Sequence, residues 1–193
     1  MWKGRALVKD FAVLAATVVT LSLFCGCSAP PTGQWRRVVK EQLPLLGHRN
    51  WIVVADSAYP AQISPGIETI ASGADQVLVV KEVIKAVDEA EHVRAKIYLD
   101  AELKYVPQSD APGIDNYRRQ LNSILADKKT VYVAHEELIA KLDEAAKTFK
   151  ILLLKTDMTL PYTSVFLELD CGYWNAEVEQ RLRQVIHSAQ QHR

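Results

Sequence analysis

Leu45-Leu-Gly-His-Arg-Asn-Trp-Ile-Val-Val-Ala-Asp-Ser-Ala-Tyr-Pro60 is the stretch whose reading decides the fold. Leu45 to His48 close a helix that starts near Trp35, with Gly47 as its stop. Trp51 to Ala55 is an apolar, β-branched run of strand length, and Asp56 to Pro60 breaks it into a polar turn. A histidine and an aspartate therefore flank the two ends of one short buried strand.

Outward from that strand, the pattern alternates. Gln76–Val80 is an apolar run, read as a strand or turn, that feeds a helix over Lys81–Ala90. Lys96–Leu99 is a strand, Pro107–Gly113 a loop, and Tyr117, Leu121, Ile124 and Leu125 form the apolar stripe of a helix. Thr130–Val133 is a strand, Glu136–Thr148 a helix, and Lys150–Leu154 and Val165–Leu169 two further strands. Val178, Leu182, Val185 and Ile186 share one face of a last helix over Ala176–Ala189. Strands alternating with helices predict one α/β domain, with helices on both faces of a sheet.

The N-terminus reads as targeting. Lys3, Arg5 and Lys9 precede the apolar run Phe11–Phe24, which is short for a bilayer span, and Gly26-Cys27 ends it. Residues 1–26 are expected to be a lipoprotein signal peptide, Cys27 the lipidated N-terminus, 27–34 a Pro-containing tether and 35–193 the domain. Cys25 is a rival cleavage position, and an uncleaved anchor helix is the alternative. Either way the protein is expected to be membrane-anchored in the cell envelope, on its periplasmic or extracellular side.

The full chain has 23 basic and 23 acidic residues; without Lys3, Arg5, Lys9 and Asp10 these become 20 and 22. No basic footprint for nucleic acid remains. Cys171 has no partner in the mature chain, so no internal disulfide is expected. A phosphate-binding glycine loop, a serine elbow and a cysteine metal cluster are all missing from the sequence.

His48 and Asp56 with Pro60, Ile67-Glu68 through Gly73, and His135-Glu136 followed by Pro161-Tyr162 recur in an order that resembles the ribose pyranase and fucose mutarotase (RbsD/FucU) family. The resemblance runs from about Leu45 to Leu169. It implies an isomerase that interconverts monosaccharide anomers or ring forms with no cofactor and no metal, assembled as a homo-oligomer, a pentamer or a pair of stacked pentamers. Mutarotation needs a proton delivered to the ring oxygen as another leaves the anomeric hydroxyl, work for groups that titrate near neutrality. The family match makes His48 the catalytic proton donor and Asp56, His135, Tyr162 and Ser164 the sugar-binding residues. Ser164 stands where the family has Asn, which leaves fewer hydrogen bonds at that corner. The alternative is a non-catalytic sugar-binding lipoprotein of the same fold.

Taken alone, each residue has a plainer reading. His48 can finish a helix by bonding its last carbonyls, Asp56 can order the turn before Pro60, His135 can simply begin a helix, and Tyr162 can be a core aromatic. His92, His187 and His192 read as solvated.

Overall fold

A computed structural model describes residues 33–191. The signal segment and the lipidation residue Cys27 lie outside the described residues. No helix among the described residues is long and apolar enough to cross a membrane.

The fold is α/β. In chain order it comprises α1 (Gln34–Gln42), β1 (Trp51–Ala55), β2 (Ile67–Ala71), α2 (Gln76–Asp88), β3 (Val93–Asp100), α3 (Ile114–Ile124), β4 (Thr130–Val133), α4 (His135–Ala145), β5 (Ile151–Lys155), β6 (Val165–Cys171) and α5 (Ala176–Gln191). The strands form one mixed sheet in the order β2-β5-β1-β6-β3-β4. β6 is antiparallel to both neighbours, with Val165 opposite Val54 of β1 and Leu99 of β3, whereas the other pairings are parallel.

β1 is buried along its whole length because both faces of the sheet are covered. Ile52 and Val54 face a core shared with Trp35 and Val39 of α1, Val80 and Val83 of α2, and Tyr117 and Leu121 of α3. Trp51, Val53 and Ala55 face a smaller core, closed by Leu138 and Leu142 of α4 and by Phe166. Helices thus cover both faces, as the alternation of elements predicts.

Three local expectations change. Pro44 ends α1 two residues after Gln42 and tightens the chain into a 3-10 turn over Leu43–Leu45. Gly47 is therefore no helix stop. It lies in a turn closed by Asn50, whose amide oxygen accepts from the Gly47 N–H at 2.7 Å, and the positive φ falls on Arg49 at 72°. His92 is not free in solvent; its Nε2 lies 3.1 and 3.2 Å from the carbonyls of Leu43 and Leu46.

The apolar run Gln76–Val80 is helix, not strand, because the Asp75 carboxylate accepts from the Leu78 N–H at 3.0 Å and caps α2. β2 escapes the sequence pattern. It is an edge strand whose residues are all partly or fully exposed, so it carries no buried stripe. Gln34, placed in the tether by the sequence, already belongs to α1, and Gly33 takes the N-cap with φ 107°.

Candidate functional site

β1 and β3 point the same way, since both run antiparallel to the β6 between them. Asp56 immediately after β1, Asp100 at the end of β3 and Ser164 before β6 therefore meet at one edge of the sheet. β4 delivers the start of α4 to the same edge. Ligands of open α/β sheets gather at such carboxyl ends. A cleft of about 350 Å³ lies here, lined by Asp56, Tyr59, Pro60, His135, Pro161 and Tyr162, among others.

Asp56 is held twice. Its Oδ1 accepts from the Ala58 N–H at 2.9 Å, the turn-ordering bond expected of an aspartate here, and its Oδ2 accepts from the Ser164 hydroxyl at 3.0 Å. Ser164 is 1% exposed and does not line the cleft. Its hydroxyl hydrogen is committed to Asp56, so the serine orients the carboxylate from behind.

His135 is the first residue of α4, whose N-cap, Ala134, offers no side-chain oxygen. Both carboxylate oxygens of Glu102 fill that role, each 3.1 Å from the His135 N–H. The ring is fixed by Asp100, whose Oδ1 lies 3.2 Å from His135 Nδ1. Tyr162 packs edge-on against the imidazole, with centroids 5.5 Å apart. It does so from a left-handed backbone conformation, φ 57°, that a bulky residue adopts only when its surroundings impose it.

Those surroundings are built around Gln76, which is fully buried. Its amide donates to the Tyr117 hydroxyl and the Thr163 carbonyl and accepts from the Thr156 hydroxyl at 2.9 Å. Tyr117 also donates to the Thr163 carbonyl. The segment that carries Tyr162 and Ser164 is thereby tied to α2 and α3.

Asp100 is completely buried, and that burial raises its carboxyl from 3.8 to about 6 against the opposing pull of His135. Between these two values the native state keeps a proton that the unfolded chain has released. Native stability is therefore lost as pH rises through about 6, and the cost persists above it. Asp100→Asn is expected to stabilise the protein at pH 7.5, on the order of 1–2 kcal/mol, and to leave stability nearly unchanged at pH 4, where the carboxyl is already neutral. Urea unfolding at the two pH values checks this; equal effects at both would refute it.

His48 lies at the other edge of the sheet. A five-residue strand separates it from Asp56 by roughly 17 Å, so the two do not interact within one chain. Its partner is Asp170, with Nδ1 2.9 Å from Oδ1, in an exposed cluster with Arg94, which donates to Asp170 Oδ2 at 2.8 Å. Arg94, with the Cys171 N–H and His48, holds the Asp170 carboxyl below its usual range. A second cleft of about 530 Å³ opens there, lined by His48, Arg94, Asp170, Tyr173 and Trp174, among others.

The structure thus brings Asp56, His135 and Tyr162 to one cleft, places Ser164 directly behind it, and sets His48 apart. Neither Asp100 nor Glu102 stood out in the sequence. Asp100 carried one signal, an acidic residue closing an apolar strand, and Glu102 carried none.

No family model and no curated protein matches the chain. Solved structures do. The neighbours are RbsD- and FucU-type proteins. RbsD of Bacillus subtilis complexed with D-ribose aligns over 74% of this chain and 95% of its own, at 17% identity and a TM-score of 0.49. The fucose mutarotase of Streptococcus pneumoniae in complex with L-fucose aligns over 68% and 89%, at 17% identity and 0.45. FucU of Bifidobacterium longum aligns over 73% and 93%, at 15% identity and 0.45.

Proposed function

We propose that this protein binds a monosaccharide in the Asp56–His135–Tyr162 cleft and interconverts its anomers or ring forms. The observation that carries the reading is the His135–Asp100 pair, an imidazole at the cleft whose Nδ1 faces a buried carboxylate. With the Nδ1 proton donated to Asp100, Nε2 is left with the lone pair. It can take the proton of the anomeric hydroxyl as the bond between C1 and the ring oxygen breaks. The ring oxygen takes up a proton in return, from water or from a second acid, giving the open-chain aldehyde. Rotation about the C1–C2 bond and the reverse steps close the ring on the other face. Asp56, fixed by Ser164 and the Ala58 N–H, still has lone pairs to accept sugar hydroxyls, and Tyr162 offers a ring face and a phenol.

His48, the proton donor implied by the family resemblance, serves this cleft only if a second copy presents it. A ring assembly, also implied by the resemblance, would do that by joining opposite sheet edges of adjacent copies. Light scattering on the chain lacking residues 1–27 tests it, and a monomer at all concentrations would remove His48 from the chemistry. Attachment through a lipidated Cys27 in the cell envelope belongs to the same proposal; intact mass of the membrane fraction tests it, and an unmodified chain starting at Met1 would refute it.

The function is tested by saturation-transfer NMR over pentoses and hexoses. Exchange between anomers accelerated well above the buffer rate for one or a few sugars is the expected result. Binding by calorimetry without acceleration would favour the non-catalytic sugar-binding alternative, and neither would overturn both.

A further inference from the structure

Two buried polar atoms near the cleft have no hydrogen-bond partner among the described residues, the Tyr59 hydroxyl and Asp100 Oδ2. Tyr59 is 4% exposed and lines the cleft, and Asp100 is fully buried and reaches it through His135. Each such atom costs about 1–3 kcal/mol relative to a satisfied one. Neither satisfies the other, although one is a donor and the other only an acceptor.

We propose that the cleft continues inward to a hydroxyl-binding subsite formed by Tyr59 and Asp100, which selects a sugar by one of its hydroxyl groups. The proposal rests on the sugar reading above and adds a residue that sets specificity. The chemistry of the two atoms chooses the ligand group. A ligand hydroxyl accepts from Tyr59 and donates to Asp100 at once. An ammonium group has no lone pair for Tyr59. A phosphate or carboxylate would meet Asp56, Asp100 and Asp143, the three carboxylates whose field, after burial, pushes the Tyr59 phenol upward. An alkyl group would leave both atoms as they are. Tyr59 stays a neutral donor throughout the physiological range, so the subsite offers one donor and one acceptor to one neutral group. A site built to pair a hydroxyl penalises the analogue that lacks it far more than an apolar pocket can.

The test is calorimetric titration of the wild type and Tyr59→Phe with aldopyranoses and their monodeoxy counterparts. In the wild type, one deoxy position is expected to weaken binding ~10- to 100-fold. In Tyr59→Phe the parent sugar should weaken toward the affinity of that deoxy sugar, keeping only the advantage of its bond to Asp100, while the deoxy sugar itself stays within about twofold. The variant should melt no lower than the wild type, since it loses only an unsatisfied hydroxyl. Equal weakening of parent and deoxy sugars, unchanged affinity for all of them, or a clearly lower melting temperature would each overturn the subsite and leave sugar binding standing. A wild type that binds none of the sugars would overturn the sugar reading and the subsite with it.

Discussion

His135→Ala is expected to lower the anomer exchange rate by on the order of a hundredfold or more, the usual worth of a general acid–base group, while sugar affinity changes severalfold at most. The imidazole lines the cleft and its second nitrogen is fixed by a buried carboxylate. Removing it deletes the proton acceptor but leaves Asp56, Tyr59 and Tyr162 to hold the sugar. The wild-type rate should also fall on the acid side of about pH 6. Asp100 takes up a proton there and becomes a neutral, weaker acceptor for Nδ1, so the histidine loses the charged partner that fixes its tautomer. NMR exchange measured from pH 4.5 to 8 checks both statements. A His135→Ala protein with the wild-type rate would refute the assignment, and His48→Ala would then be the variant to examine.

Gln76→Leu is expected to give a large loss of stability, on the order of 2–4 kcal/mol. Leucine fills nearly the same space but makes none of the three bonds to Tyr117, Thr163 and Thr156. Tyr117 keeps its bond to the Thr163 carbonyl, and the single Thr156 hydroxyl hydrogen turns to the Ala55 carbonyl 2.9 Å away, so the network is thinned rather than erased. For a domain of this size each kcal/mol moves the melting temperature by roughly 2–4 °C, so a drop of about 10 °C should appear by circular dichroism. Tyr162 in its left-handed conformation and Ser164 behind Asp56 both hang on this network, so exchange should slow as well. An unchanged melting temperature would show that the segment is held elsewhere.

The elements that the sequence displays most clearly are those with both faces or one whole stripe buried. Trp51–Ala55 reads as a strand because all five residues are apolar and two cores need them, and α3 reads as a helix because Tyr117 and Leu121 recur at helical spacing on one side. β2 is silent because an edge strand needs no buried stripe. Gln76–Val80 misleads because an apolar run has no period of its own; the cap from Asp75 decides it.

By itself, then, the sequence determined the class of fold, the position of most elements, and a short list of polar residues at their ends, because hydrophobic period and caps are local properties. Which of those residues share a site was decided only by the tertiary structure. The insertion of β6, antiparallel, between β1 and β3 carries Ser164 to Asp56, 108 residues away, and the parallel pairing of β4 with β3, Val133 opposite Asp100, brings Asp100 beside His135. The same strand carries Asp170 to His48 at the opposite edge. Pairings of that range depend on strand order and direction, which no local pattern encodes, and the direction of one central strand therefore fixes which edge of the sheet gathers the chemistry.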